Sequence, residues 1–264
     1  MARGKIYVGT SGWHYKHWVG KFYPEKSSAK KQWQYYSTHF GTIEINNSFY
    51  KLPPPSVFED WYKNSPKKML FAVKANRFIT HMLKLSHPQE PITRLFGSIV
   101  ALKEKLGPIL FQLPPKWKVN ATRFKEFLEA LPKGYRYAFE FRNETWYHEE
   151  IYQLLRLHNC SFCIYQLAGH MSPIKITADF IYLRLHGPTQ FKYHGSYSNA
   201  ALRKWADQCI NWAKEKKDVY VYFDNDMEAN AVFNALTMQK MVEKRKGTSD
   251  NKAGSSSSIS RSTS

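Results

Sequence analysis

Eight short runs rich in β-branched and aromatic residues recur along the chain: Ile6 to Thr10, Thr42 to Asn46, Met69 to Lys74, Pro108 to Gln112, Tyr137 to Phe141, Ser161 to Tyr165, Phe180 to Leu185 and Val219 to Phe223. Most are separated by stretches of helical periodicity. Strands divided by helices pair in parallel through right-handed crossovers, and eight such units close naturally on themselves. The order therefore predicts an α/β fold, a single TIM-type (β/α)8 barrel, with an open doubly wound sheet as the alternative. A length of 264 residues suits one such barrel and requires no second domain.

The clearest helical segment runs from Ser198 to Lys217, where Leu202, Trp205, Ala206, Cys209, Trp212 and Ala213 share one stripe and Ser198 is placed to cap the N-terminus. A second follows the last run, with Ala229, Val232, Phe233 and Leu236 at helical spacing. Further helices fit Lys30 to Phe40, Ser56 to Asn64, Pro91 to Leu106, Thr122 to Leu131 and His148 to Leu157. Runs six and seven are too close for a full intervening helix, and Ala168 to Ala178 carries Gly, Pro and β-branched residues, so the barrel is expected to be irregular there. Residues 1–246 form the barrel domain in this reading. Residues 247–264, Ser-rich and without apolar periodicity, are expected to be a disordered tail.

The formal net charge is +18, and the tail contributes only Asp250, Lys252 and Arg261 to it. A field of that sign favours phosphate-bearing or nucleic-acid partners, although scattered lysines also simply solvate a surface. No apolar run approaches a membrane span, and the first residues lack a signal-peptide pattern, so a cytoplasmic protein with no membrane association is expected. Three cysteines are too few for a disulfide framework. Cys160 and Cys163 have the spacing of a redox dithiol, yet they lie on or beside an apolar run where residues three apart face opposite sides, which favours buried thiols.

In a parallel barrel the chemistry sits beyond the C-terminal ends of the strands, and these ends are polar. Run two ends in Glu44-Ile45-Asn46, run three in Lys74-Ala75-Asn76-Arg77, run four in Gln112 and run five in Glu140-Phe141-Arg142. Run seven ends in Arg184-Leu185-His186, and run eight in Asp224-Asn225-Asp226. Alternation places Glu44 with Asn46, Glu140 with Arg142, and Arg184 with His186 on shared faces. Buried charges of both signs must pair, so a structural ion network is one reading of this pattern.

The functional reading is an enzyme that binds a phosphate- or carboxylate-bearing substrate at the mouth and uses acid–base chemistry, hydrolysis being one such reaction. Lys74, Arg142 and Arg184 would hold the anion. His186 would move protons with Glu44, Glu140 or Asp224 as partner. Asn46, Arg77, Gln112 and Asn225 complete the candidate binding set, and Trp13 in the Gly9 to Trp18 turn either stacks a ring or plugs the mouth. His186, Asp224, Asp226, Glu44 and Glu140 have the chemistry for a divalent cation, but no spaced metal signature accompanies them and the aspartates also suit a helix cap. Nucleotide-cofactor and serine-hydrolase motifs are absent. The competing readings are a non-catalytic nucleic-acid-binding protein and a small-ligand sensor.

The same strand-end segments resemble the YecE-like family, also called domain of unknown function 72. The matching pieces are Gly9-Thr10-Ser11-Gly12-Trp13 with Phe22-Tyr23-Pro24, Glu44-Ile45-Asn46 with Phe49-Tyr50, and Phe71-Ala72-Val73-Lys74. They continue with Gly107 to Pro115, Glu140-Phe141-Arg142 with Trp146, Arg184-Leu185-His186-Gly187, Tyr220 to Asp226, Ala229 and Asn234-Ala235. The resemblance spans nearly all of the chain before the tail and implies a TIM-type barrel, but no activity. The position of Asp224 looks like one that often carries Asn in that family, so a role requiring its carboxylate departs from the pattern.

Overall fold

The computed structural model describes residues 3–255, and the side chains of residues 3–245. Eight parallel strands form a nearly closed barrel: β1 (Ile6–Thr10), β2 (Thr42–Ile45), β3 (Leu70–Lys74), β4 (Leu106–Gln112), β5 (Tyr137–Glu140), β6 (Ser161–Leu167), β8 (Phe180–Leu185) and β9 (Asp218–Phe223). The two-residue β7 (His170–Met171) folds back antiparallel on β6. That hairpin occupies the interval where a helix did not fit, and Ala168 and Gly169 turn it with positive φ.

Hydrogen-bonded order runs β1-β9-β8-β6-β5-β4-β3-β2. Closure between β1 and β2 rests on the bridge from Ser11 to Glu44, where the Gly12 amide donates to the Glu44 carbonyl at 2.8 Å. Gly9 permits this close approach, because a Cβ there would stand 2.4 Å from the Thr42 carbonyl oxygen.

Helices α1 (Ala29–His39), α2 (Pro55–Lys63), α3 (Gln89–Ile99), α4 (Ala121–Ala130), α5 (Glu149–Leu157), α6 (Asn199–Lys214) and α7 (Asn230–Ser255) cover the outside. Between them and the sheet lies a continuous apolar layer that includes Ile43, Phe71, Phe111, Phe139, Leu183 and Val221. The helical run expected from Pro91 to Leu106 breaks at Ile99 into a 3-10 turn with Lys103 at φ 50°. Lys105 anchors that turn by donating to the carbonyls of Tyr62 and Ser65. Ser198 caps α6 as expected, accepting from the Ala201 amide. In α7 the buried face is Ala231, Val232, Ala235, Met238 and Val242, so Phe233, expected on the apolar stripe, points outward.

Helix α7 runs past residue 247, where the tail was expected to begin. The rest of that tail, residues 256–264, lies outside the described residues. Among the described residues no helix is long and apolar enough to cross a membrane.

The barrel interior holds a second, smaller cluster. Ala72, Leu110, Ala138 and Cys163 leave space on one side that Tyr182, Tyr220 and Tyr222 fill from the other. Cys160 belongs to the outer layer and Cys163 to the interior. Burial pushes the Cys160 thiol up to about 12, and that of Cys163 well above its ordinary value. Both are thus inert buried thiols.

Candidate functional site at the barrel mouth

The alternation that sends Phe139, Phe141, Leu183 and Leu185 outward sends Glu140, Arg142, Arg184 and His186 inward, at the C-terminal end of the strands. Arg184 is completely buried. Its Nη2 donates to Glu44 Oε1 at 2.7 Å and to Asp224 Oδ2 at 3.0 Å, while Nη1 donates to Glu140 Oε2 at 2.8 Å. One guanidinium therefore gathers carboxylates from β2, β5 and the end of β9. Glu44 is held further by Ser11 Oγ at 2.6 Å and by the Tyr182 hydroxyl at 2.7 Å.

Arg142 donates through Nε to Glu140 Oε1 and lies over the Tyr165 ring, 4.7 Å from its centre. Burial alone would raise the Glu140 carboxyl, but the Arg142 and Arg184 guanidiniums hold it well below the usual carboxylate range. Asp224 is lowered in the same way, against its burial, by Arg184 and His186. Arg184 in turn overcomes its desolvation through Glu44, Glu140 and Asp224, and stays charged.

His186 is also fully buried. Its Nε2 stands 3.3 Å from Arg142 Nη2 and 3.4 Å from Arg184 Nη1. Guanidinium nitrogens only donate, so the tautomer that fits these two contacts accepts at Nε2. Nδ1 is 2.9 Å from Asp224 Oδ2, a distance reached without hydrogen-bond alignment. Both ring nitrogens thus face the network.

Lys74 differs from its charged neighbours. It ends β3, is 6% exposed, and among the described residues its ammonium donates no hydrogen bond; it stands 4.2 Å from the centre of the Phe49 ring. Burial and then the Arg184 charge push it down to about 8, against the pull of Glu140, Glu44 and Asp224. The other edge of Phe49 meets His81, with ring centres 5.0 Å apart. His81 sits in a π-helical turn, Phe78–Met82, a geometry that recurs at functional sites. It is pushed down to about 4 by burial, then by Lys74, Arg77 and Arg142.

Of the residues singled out from the sequence, Glu44, Glu140, Asp224, Arg142, Arg184, His186 and Lys74 converge at the mouth. Gln112 and Arg142 line a cavity of about 300 Å³ together with Tyr165, His170, Lys192 and Tyr193. Arg77 is exposed beside the π turn. Asn46 is half-buried, and its Oδ1 has no hydrogen-bond partner among the described residues.

Asn225 serves the scaffold, donating to the Gly195 carbonyl at 2.8 Å and to Asn234 Oδ1 at 2.9 Å. Trp13 packs edge-on against Trp33 and Trp61 of α1 and α2. Among the described residues no group of three His, Cys, Asp or Glu side chains is placed to hold a metal ion. Three of the candidate ligands are turned onto Arg184 instead. Asp226 makes no side-chain cap; its backbone carbonyl accepts from Trp18 Nε1.

Sequence reasoning did not single out His81, Tyr165 or Tyr193. Tyr165 was within reach, since it lies two residues past the inward-facing Cys163 on β6. His81 and Tyr193 lie in loops without a strand period, and only the folded chain brings them to the mouth.

The fold and site together define a parallel α/β barrel whose mouth is closed below by a buried ion network and bordered above by a lysine and an arginine. The chain belongs to the family described as "Protein of unknown function DUF72", whose model matches residues 7–257. It is 26% identical over 270 residues to UPF0759 protein YunF of Bacillus subtilis, covering 90% of this chain and 95% of that protein. A 143-residue match at 25% identity, 54% of this chain and 50% of the relative, links it to UPF0759 protein YecE of Escherichia coli. A DUF72 family protein of Thermotoga maritima superposes with a TM-score of 0.82 at 28% identity, over 90% of this chain and 99% of that one. A DUF72 family protein of Enterococcus faecalis shares the fold at 20% identity, with a TM-score of 0.74 over 92% of this chain and 99% of that one.

Proposed function

We propose that the barrel mouth is the active site of an enzyme acting on a small phosphate- or carboxylate-bearing substrate by acid–base chemistry, with Lys74 as the titrating group and Arg142 as the ligand of the anion. The observation that carries this reading is the contrast between Lys74 and everything around it. Glu44, Glu140 and Asp224 are committed to Arg184, and His186 is enclosed with no exposed atom. Lys74 alone combines burial, a lowered proton affinity and freedom from hydrogen bonds among the described residues. An amine near pH 8 exchanges protons at working pH far more readily than an ordinary lysine. The ion network fixes the field, and Arg142 presents its guanidinium to the cavity that Gln112, Lys192 and Tyr193 also line. Hydrolysis is one reaction this arrangement can serve.

The test is to incubate the full chain with a panel of phosphate- and carboxylate-bearing metabolites and follow their consumption by NMR. Free amine forms as pH rises through the lowered pKa, so a Lys74 base predicts a rate that climbs to a plateau above about pH 8. Lys74→Met should lose on the order of 100-fold in turnover, and Arg142→Gln should raise KM. Wild-type rates in Lys74→Met, or a rate flat across that ionisation, reject the assignment.

The net charge of +18 supports a second reading, nucleic acid bound on the exterior. Salt-sensitive binding of an oligonucleotide that survives both substitutions would favour it.

A further inference from the structure

Resting on the proposed anionic substrate site, we infer that Lys74 is an imine-forming lysine: a buried primary amine over the Phe49 ring, without hydrogen bonds among the described residues, which condenses reversibly with the carbonyl carbon of a 2-oxo acid. Three features of the site meet the needs of that chemistry. First, the nucleophile must be a free amine that is not tied up by a carboxylate. Lys74 is 6% exposed and its amine stands over an aromatic face, while the three surrounding carboxylates are held by guanidiniums. Its lowered pKa agrees with this geometry.

Second, the product is a cation. In the condensation the Lys74 nitrogen bonds to the carbonyl carbon as the C–O π bond breaks, and a proton passes from nitrogen to oxygen to give a carbinolamine. Loss of that oxygen as water leaves the C=N bond. The sum is amine plus carbonyl giving imine plus water, with no oxidant or reductant. The protonated imine keeps the single positive charge of the original ammonium. Burial and Arg184 disfavour positive charge at this position and Glu44, Glu140 and Asp224 offset part of that cost, and because the iminium carries the same charge as the ammonium, condensation adds no new charge to the site.

Third, a 2-oxo acid brings a carboxylate next to its carbonyl. Lys74 ends β3 and Arg142 follows β5, on either side of β4, whose Gln112 lines a cavity together with Arg142. His81, neutral at working pH and hydrogen-bonded at Nδ1 to Thr80 Oγ1 at 2.9 Å, meets the same Phe49 ring that the Lys74 amine stands over.

Reductive trapping tests the inference on the full-length protein. The protein is incubated at neutral pH with pyruvate and sodium cyanoborohydride, in parallel with acetaldehyde as an uncharged carbonyl, and labelled lysines are quantified by peptide mapping. Lys74 should be labelled by pyruvate on the order of tenfold or more faster than exposed lysines. Arg142→Gln should slow labelling by pyruvate far more than labelling by acetaldehyde. Lys74→Arg, which keeps a cation at the site, should retain the fold by circular dichroism and lose the fast adduct.

Labelling of Lys74 no faster than that of surface lysines overturns the inference. If pyruvate still binds in calorimetry while trapping fails, the anion site stands and the imine falls. Fast labelling by acetaldehyde alone overturns the 2-oxo acid.

Discussion

The two ends of the barrel solve the same problem differently. At the N-terminal end Arg136 pairs with Asp218 Oδ2 at 2.8 Å and with the Tyr220 hydroxyl at 2.6 Å, and its guanidinium lies over the Phe180 ring. The stacked rings of Tyr7 and Tyr220 lie beside this pair, with centres 4.9 Å apart. One cation meets one carboxylate, and both remain partly exposed to water. At the C-terminal end Arg142, Arg184 and Lys74 face Glu44, Glu140 and Asp224, almost wholly out of water. There the buried Arg184 Nε, His186 Nδ1 and Asn46 Oδ1 lack hydrogen-bond partners among the described residues. A plug can be built from a matched pair at little cost. Six charges with polar atoms left over are an expensive way to close a barrel, and they are concentrated where this fold places its chemistry.

Substitutions can break that contrast. The largest effect is expected from Arg184→Met, which leaves three carboxylates buried without their common cation. It should cost at least about 3–5 kcal/mol in chemical denaturation, or prevent folding altogether. Loss below about 1 kcal/mol would show that the network is far better hydrated than its burial implies. At the opposite end Arg136→Met should cost no more than about 1 kcal/mol, because its partner can turn to solvent and the rings beside it stay packed. An effect there as large as that of Arg184→Met would erase the distinction between plug and site.

Most of this architecture is legible in the sequence. The strand runs fall within two residues of the observed strands, because period-two apolar patterning and turn residues bound them locally. The charged strand ends follow from alternation, as with Glu140 and Arg142 or Arg184 and His186. What escapes is set by packing across the barrel. Nothing local says that Arg184 takes up Glu44, Glu140 and Asp224 at once, which turns a candidate substrate ligand into the centre of a scaffold. Lys74 reads like any other strand-end lysine until its burial without a hydrogen-bond partner among the described residues is seen. Phe233 fits the helical stripe of α7 yet faces outward, since the strip that meets β1 and β9 runs instead through Ala231, Ala235 and Met238. Trp13 follows strand one in sequence, but its ring packs edge-on against Trp33 of α1 and Trp61 of α2.

Lysine side-chain 15N NMR over a pH titration measures the proton affinity of Lys74 directly, with Lys74→Arg used to assign the signal. The Lys74 resonance should titrate near pH 8, well below the range of an ordinary lysine. A Lys74 signal that moves together with the surface lysines would contradict it, and would leave the mouth of this barrel as a buried ion network without a titrating group.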